Sequence, residues 1–353
     1  IRVAVMKRMF FIALSYKRQR PATQSRPCQN HPPPLTDRGS FVSTVEVIMS
    51  DTAAILLENR GILAVSGGDA REFLQGLVSN DLNRVSPAQV VHAALLTPQG
   101  RYLHDFFIVE KDGRFFLDCE VGRCDDLLKR LKVYTLRSEV ELAEVSSDYA
   151  IVLFMGKDAS EKLGLSGTPG QATAFGGGVA YGDPRLAELG ARALLPCNKA
   201  EAALENAGFA RGEMEDYERL RLELGVPDGS RDMEVEKALL LENGFDGLHG
   251  VDWEKGCYMG QELTARTKHR GLVKKRLMPV AVDGPLPAPG TPVMLGESEA
   301  GTVKSGLDTC ALALLRLEAV ESAQAQGETL TAGEAQLTPQ QPHWMKFETA
   351  EEA

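Results

Sequence analysis

Lys255-Gly256-Cys257-Tyr258-Met259-Gly260-Gln261-Glu262-Leu263-Thr264-Ala265-Arg266 sets a cysteine between two glycines, with a lysine just before and an amide and a carboxylate just after. Glycine leaves the backbone free to adopt conformations closed to other residues and lets a ligand approach closely. A helix starting near Gly260 would point free N–H groups toward this region and, together with Lys255, favour the thiolate of Cys257. The plainer reading is a buried, inert cysteine at a turn. Gln261 and Glu262 offer polar groups beside Cys257, though Glu262 also suits pairing with Arg266 one helical turn on. Arg266, Lys268, His269, Arg270, Lys274, Lys275 and Arg276 then form a dense cationic run. Such a run either binds a polyanion, arginine being suited to bidentate carboxylate pairing, or is a solvated face balancing local acids.

Working outward, the segment from Met49 to the cationic run reads as mixed α and β. Asp69 is placed to cap a helix carrying Phe73, Leu74, Leu77 and Val78 and ending near Asn80-Asp81. Tyr102–Val109 and Arg114–Cys119 read as strands joined by a turn at Lys111-Asp112-Gly113, followed by a helix near Arg123–Lys132. Tyr149–Phe154 is a further strand and Gly164–Gly178 a loop. Ala191–Leu195 leads into a helix capped by Asn198, and Glu213–Leu224 puts Met214, Tyr217, Leu220 and Leu224 on one helical stripe. Past Pro279, short strands at Pro292–Leu295, Gly301–Lys304 and Cys310–Leu317, with one over Leu277–Val282, predict a small β-barrel. The division is 1–48, a disordered extension or presequence-like segment; 49–276, an α+β region of two subdomains; and 277–353, barrel and tail.

The whole chain has 353 residues, 43% of them hydrophobic and 25% charged, which excludes general disorder, collagen and coiled coil. No apolar run near the start approaches the roughly 20 residues of a membrane span, and no membrane partner is expected. Residues 1–48 hold eight Lys/Arg against Asp37 and Glu46, a charge of +6, which leaves −16 for the remainder of a chain whose net charge is −10. An acidic body argues against DNA binding. The first 48 residues suit an Arg-rich mitochondrial transit segment or an upstream extension of a cytoplasmic protein that starts at Met49, the second being favoured. Six cysteines without a CxxC pair fit a reducing compartment. His31, His92, His249 and His343 have no metal-ligand spacing. Cys119 and Cys124, at a strand end and a helix start, give no iron–sulfur ligand pattern, so no metal site is expected. Gly176-Gly177-Gly178 lacks the lysine of a nucleotide loop.

The block Lys255–Arg266 resembles the signature of the YgfZ family, folate-binding proteins of iron–sulfur cluster maintenance related to the aminomethyltransferase T-protein of the glycine cleavage system. Phe73-Leu74-Gln75-Gly76-Leu77-Val78-Ser79-Asn80-Asp81, Leu96-Thr97-Pro98-Gln99-Gly100-Arg101 and Arg221-Leu222-Glu223-Leu224-Gly225-Val226-Pro227 are similar to three more of its elements. The resemblance spans Met49 to the C-terminus. It implies an α+β, T-protein-like fold of two intertwined halves around a central folate pocket, with a C-terminal β-barrel.

It further implies a cofactor, tetrahydrofolate or a one-carbon-substituted or polyglutamylated form, and as partners iron–sulfur enzymes, those modifying tRNA among them, or assembly factors. Cys257 becomes a functional thiol at the pocket rim, for thiol or one-carbon chemistry. Asn80, Asp81, Glu223, Lys255, Gln261, Glu262 and Arg266 become candidate folate ligands. Each keeps its plainer reading: Asn80 and Asp81 as caps, Glu223 as the partner of Arg219 or Arg221. T-proteins carry an Asp-Asp pair near Asp105; here His104-Asp105 retains one acid, so Asp105 is a candidate catalytic residue while aminomethyl transfer is put in doubt. An aminomethyltransferase and a non-catalytic folate-binding module are the competing readings.

Overall fold

The computed structural model describes residues 52–271 and 273–346. The segment 1–48, read above as an extension or presequence, lies outside the described residues. The described chain begins with β1 (Ala53–Leu56), β2 (Arg60–Ser66), α1 (Ala70–Gln75), β3 (Val91–Leu96), β4 (Tyr102–Lys111), β5 (Arg114–Glu120), α2 (Cys124–Val133) and β6 (Glu141–Glu144). It continues through β7 (Tyr149–Met155), α3 (Ala159–Lys162), β8 (Ala172–Phe175), β9 (Gly178–Gly182), β10 (Ala191–Pro196), α4 (Cys197–Ala207), β11 (Ala210–Arg211) and α5 (Met214–Glu223). Then come α6 (Gly229–Asp232), α7 (Gln261–His269), β12 (Lys275–Asp283), β13 (Pro292–Leu295), β14 (Ser298–Leu307), β15 (Cys310–Arg316), α8 (Leu317–Gln326), β16 (Leu330–Ala332) and β17 (Ala335–Pro339).

These strands make an α+β fold with two open sheets, ordered β3-β4-β5-β2-β6 and β11-β1-β7-β10-β9-β8, and a closed barrel β12-β15-β14-β13-β16-β17. The halves are intertwined because β1, first in sequence, pairs antiparallel with β7 and parallel with β11 in the second sheet. Period-two alternation places the side chains. Along β4, Phe107 and Val109 enter a core shared with Ile151, Leu153 and Tyr181 of the second sheet, whereas Phe106 and Ile108 pack under α1 and α2. Helix α2 buries Cys124, Leu127 and Leu131 on one stripe. The barrel encloses its own core, including Val280, Val293, Val303 and Leu337. Among the described residues, no helix is long and apolar enough to cross a membrane.

Four local expectations are corrected. Helix α1 stops at Gln75, not near Asn80, because the carbonyls of Gln75, Val78 and Asn80 turn to Lys255 Nζ. Asp69 occupies the N-cap position, yet its side chain accepts from the Glu139 N–H instead. The helix after β10 begins at Cys197, so Asn198 lies inside it. The presumed loop 164–178 contains β8, whose hairpin with β9 turns at Gly176 and Gly177, both at positive φ (57° and 79°). The barrel also closes with a helix, α8, that the turn-rich pattern hides.

Candidate functional site

The signature loop is held by the segment after α1. Ser79 Oγ donates to the Gly250 carbonyl at 2.6 Å, and the Asp252 N–H donates to the Ser79 carbonyl at 3.0 Å. Asp252 Oδ1 then accepts the N–H groups of Glu254 and Lys255, closing a turn. Lys255 is buried, and its ammonium donates to the carbonyls of Gln75, Val78 and Asn80 at 2.9, 2.6 and 2.9 Å. Three donors meet three acceptors, so the group is fully used. Burial lowers its pKa to about 8 despite Asp81 and Asp252 nearby. The Met259 N–H reaches the Gly76 carbonyl at 3.1 Å, and Tyr258 turns inward. Between these anchors, Gly256 and Cys257 are exposed. Lys255 therefore fixes the loop rather than serving the thiol, a correction to its assigned role.

Gly260 caps α7 at φ 80°, where a side chain would strike the Thr97 carbonyl oxygen at 2.5 Å. The helix thus begins where the sequence places it, four residues after Cys257. Beside the loop, Met259 joins Leu96, Pro98, Val133 and Tyr134 in lining a groove of about 180 Å³. Val133 and Tyr134 are 64% and 42% exposed, so this groove opens on apolar surface.

A separate cleft lies between the two open sheets, lined by Arg60, Asp105, Phe107, Arg185, Arg192 and Tyr217 among others. Asp105 accepts from the Tyr102 hydroxyl at 2.7 Å and stands 3.2 Å from His92 Nε2. Burial alone would raise its pKa, but His92, Arg60 and Tyr102 outweigh it and hold the carboxyl well below the usual range. Alternation turns its neighbour His104 the other way, 2.8 Å from Asp126 of α2. The Asp183 carboxylate accepts from Arg185 at 2.7 Å and Arg192 at 3.0 Å, Asp118 accepts from Arg60 at 2.6 Å, and both Arg185 and Arg192 reach the Tyr217 hydroxyl. All three guanidinium groups lie within 5.8 Å of the Phe107 ring centroid.

The donor chemistry of this cleft suits a polar planar ring. Asp105 supplies acceptors, and Arg192 Nη1 is buried without a hydrogen-bond partner. Its size does not: the cavity is about 10 Å³, room for one water. The cleft as it stands does not fit the pterin of a folate.

Of the sequence-predicted residues only Asp105 lines the cleft, and Cys257 is not at its rim. Asn80 is buried, donating to the carbonyls of His92 and His249, both at 2.7 Å. Asp81 caps the short turn Leu82–Arg84 by accepting the Asn83 N–H. Glu223 pairs with neither Arg219 nor Arg221; Oε2 is buried without a hydrogen bond, and burial raises the carboxyl's pKa, with Arg219 only partly offsetting it. Arg221 goes instead to Glu218 and Asp232. Gln261, Glu262 and Arg266 lie on α7, outside the cleft. In the cationic run, Arg276 is buried in a bidentate pair with Asp246, and Lys268 stacks on Trp253 at 3.9 Å. Arg60, Asp183, Arg185 and Arg192 carry no periodic sequence signal; the run Gly182-Asp183-Pro184-Arg185 is the local one, because Asp183 also accepts the Arg185 N–H.

Residues 45–168 match the family profile described as GCVT N-terminal domain, and residues 274–347 that described as CAF17, C-terminal beta-barrel domain. The chain is 36% identical over 271 residues to the mitochondrial iron-sulfur cluster assembly factor IBA57 homolog of Mycosarcoma maydis, covering 70% of this chain and 62% of that protein. To the mitochondrial iron-sulfur cluster assembly factor IBA57 of Mus musculus it is 34% identical over 288 residues, 75% of this chain and 78% of that protein. The fold is similar to that of glycine cleavage system aminomethyltransferase T from Bartonella henselae, with a TM-score of 0.68 and 16% identity over 87% of this chain and 90% of that one. These relatives carry the IBA57 name rather than YgfZ, and their names, mitochondrial throughout, lend no support to a cytoplasmic bacterial location.

Proposed function

The chain belongs to the CAF17/IBA57 family of iron–sulfur cluster assembly factors, and from that membership we propose that it assists assembly or repair of iron–sulfur enzymes by presenting Cys257 as a thiolate ligand to a cluster in transit. The observation that carries this reading is an exposed thiol on an immobilised loop. Thiolate is the protein ligand that iron–sulfur clusters take, and binding iron releases its proton. Among the described residues no group of three or more His, Cys, Asp or Glu could hold a metal. One thiolate is a single ligand, so the remaining ligands come from a partner protein that carries the cluster as cargo. The apolar groove at Met259 gives such a partner surface to rest on. The location follows the chemistry: a reducing compartment, which for the named relatives is mitochondrial.

The test is genetic and enzymatic. In cells lacking this protein, iron–sulfur enzyme activities should fall; wild-type chain should restore them, and Cys257→Ala at equal abundance should not. Unchanged activities on deletion, or full rescue by Cys257→Ala, would overturn the reading.

Tetrahydrofolate is a second reading, favoured by Asp105 and by Arg192 Nη1, which makes no hydrogen bond in the cleft. It requires Arg192 to swing away from Asp118, its loosest contact at 3.5 Å, before a ring enters. Titration of tetrahydrofolate into wild type and Asp105→Asn tests it; heat release that is absent or equal for both removes folate from this cleft. With the folate reading goes aminomethyl transfer, its alternative.

A further inference from the structure

We propose that Cys119 and Cys124 form a reversible disulfide site whose oxidant is a hydroperoxide. Neither residue takes part in the function proposed for Cys257. Cys119 is on β5 and Cys124 is the first residue of α2, and the turn Val121–Arg123 brings their sulfurs to 3.2 Å. A disulfide bond is about 2.05 Å long, so closure asks for little more than 1 Å of side-chain movement.

The packing makes room for this pair. Gly61 on β2 stands opposite Cys119 in the sheet, and a Cβ at Gly61 would lie 2.3 Å from Cys124 Sγ. The sulfur occupies the place a side chain would fill, and the Gly61 carbonyl lies 3.6 Å from Cys119 Sγ. The two thiols differ in character. Cys124 stands at the start of a ten-residue helix, whose free N–H groups favour an anion. The Cys119 S–H donated to it lowers the Cys124 pKa further, while the same contact and burial push Cys119 up. Its place at the helix N-terminus makes Cys124 the attacking sulfur and Cys119 the resolving one. Both sulfurs are buried, and the turn that joins them, Val121 and Gly122, is exposed, so peroxide reaches the pair when that turn moves.

The chemistry balances with hydrogen peroxide as the reagent. The Cys124 thiolate attacks one peroxide oxygen, the O–O bond breaks, and the departing hydroxide takes a proton to leave as water, giving a sulfenic acid. Cys119 then attacks the sulfenic sulfur; the S–S bond forms, the S–O bond breaks, and hydroxide leaves with the Cys119 proton as a second water. Two thiols are oxidised by two electrons as one peroxide is reduced to two waters.

The test uses the full chain carrying Cys257→Ser, exposed to hydrogen peroxide near neutral pH, alkylated and digested with trypsin without reductant. Trypsin cuts after Arg114, Arg123 and Lys129, so the site joins peptides 115–123 and 124–129. The expected product is that linked pair, two hydrogens lighter than the free peptides and separated again by dithiothreitol. Cys119→Ser should leave a dimedone-reactive sulfenic acid at Cys124, and Cys124→Ser should leave none at Cys119. The proposal is overturned if both cysteines alkylate fully on unfolding after Cys197 has been oxidised, or if either proceeds to sulfinic acid without a linked peptide in the Cys257→Ser chain, a measurement that requires neither serine replacement in the pair to fold.

Discussion

Gly100 and Gly260 meet backbone to backbone: a Cβ on Gly260 would lie 3.0 Å from the Gly100 Cα, and one on Gly100 would lie 2.7 Å from the Gly260 carbonyl oxygen. Both adopt left-handed conformations, at φ 81° and 80°. The turn after β3 and the turn before α7 interlock only because neither has a side chain.

Gly260→Ala should therefore cost about 2–4 kcal/mol, from strain at positive φ and from the clash. Gly256→Ala should stay within about 0.5 kcal/mol, because nothing lies within 4 Å of its would-be Cβ. Urea denaturation of both variants checks the contrast; equal losses would show that the signature loop tolerates or rejects side chains without regard to this contact.

His104 predicts an acid sensitivity. Burial, helped by Arg123, lowers its pKa from 6.5 to about 4, although Asp126 opposes the shift. The unfolded chain binds the proton first, so stability from this group is complete above pH 6.5 and is lost as pH falls toward 4. The difference corresponds to about 3 kcal/mol. Urea midpoints measured from pH 7 to 4 should fall more steeply for wild type than for His104→Gln; parallel curves would refute the assignment.

Cys257 should alkylate first. At neutral pH, brief treatment and peptide mapping should find it modified before Cys119, Cys124 and Cys310, which are buried, and before half-buried Cys197. Cys28 lies outside the described residues and is read from its own peptide. Cys257→Ala should change stability by no more than about 0.5 kcal/mol. Labelling only after denaturation would remove the thiol from the proposed function.

Arg221 ties the body to the barrel. It is buried, and reaches Glu218 at 2.6 and 2.7 Å, Asp232 at 2.9 Å and Ser305 of β14 at 3.0 Å. Arg221→Met leaves the buried Asp232 carboxylate without its counter-charge and Glu218 with Arg231 alone, and should cost about 3–5 kcal/mol by equilibrium unfolding. A loss under 1 kcal/mol would mean that Arg231, which also contacts Glu218, carries the network.

The α+β class, the barrel and most strands were legible because hydrophobic alternation reports burial directly, as along β4 and β12. The local backbone around Cys257 was legible at its glycines, where residue type itself constrains conformation and access. Lys255 was misread because its proximity in sequence to Cys257 says nothing about acceptors some 175 positions earlier, at Asn80. The cleft stayed hidden for the same reason: Arg60, Asp118, Asp183 and Arg192 come from four strands or loops, and only the intertwining of the two sheets assembles them. Long-range ion pairs leave no periodicity to read.

The three-carbonyl seat of Lys255 also bears on its fate as an amine. Acylation needs a nitrogen lone pair directed at the incoming carbonyl, and here each N–H direction is occupied by a backbone oxygen while the approach is buried. A pKa near 8 would otherwise make this lysine more nucleophilic than a surface lysine at physiological pH. The seat converts a reactive amine into an inert one for as long as the loop is closed. Acetylation at this position would therefore require the cysteine loop to come away from the strand-and-helix edge it rests on.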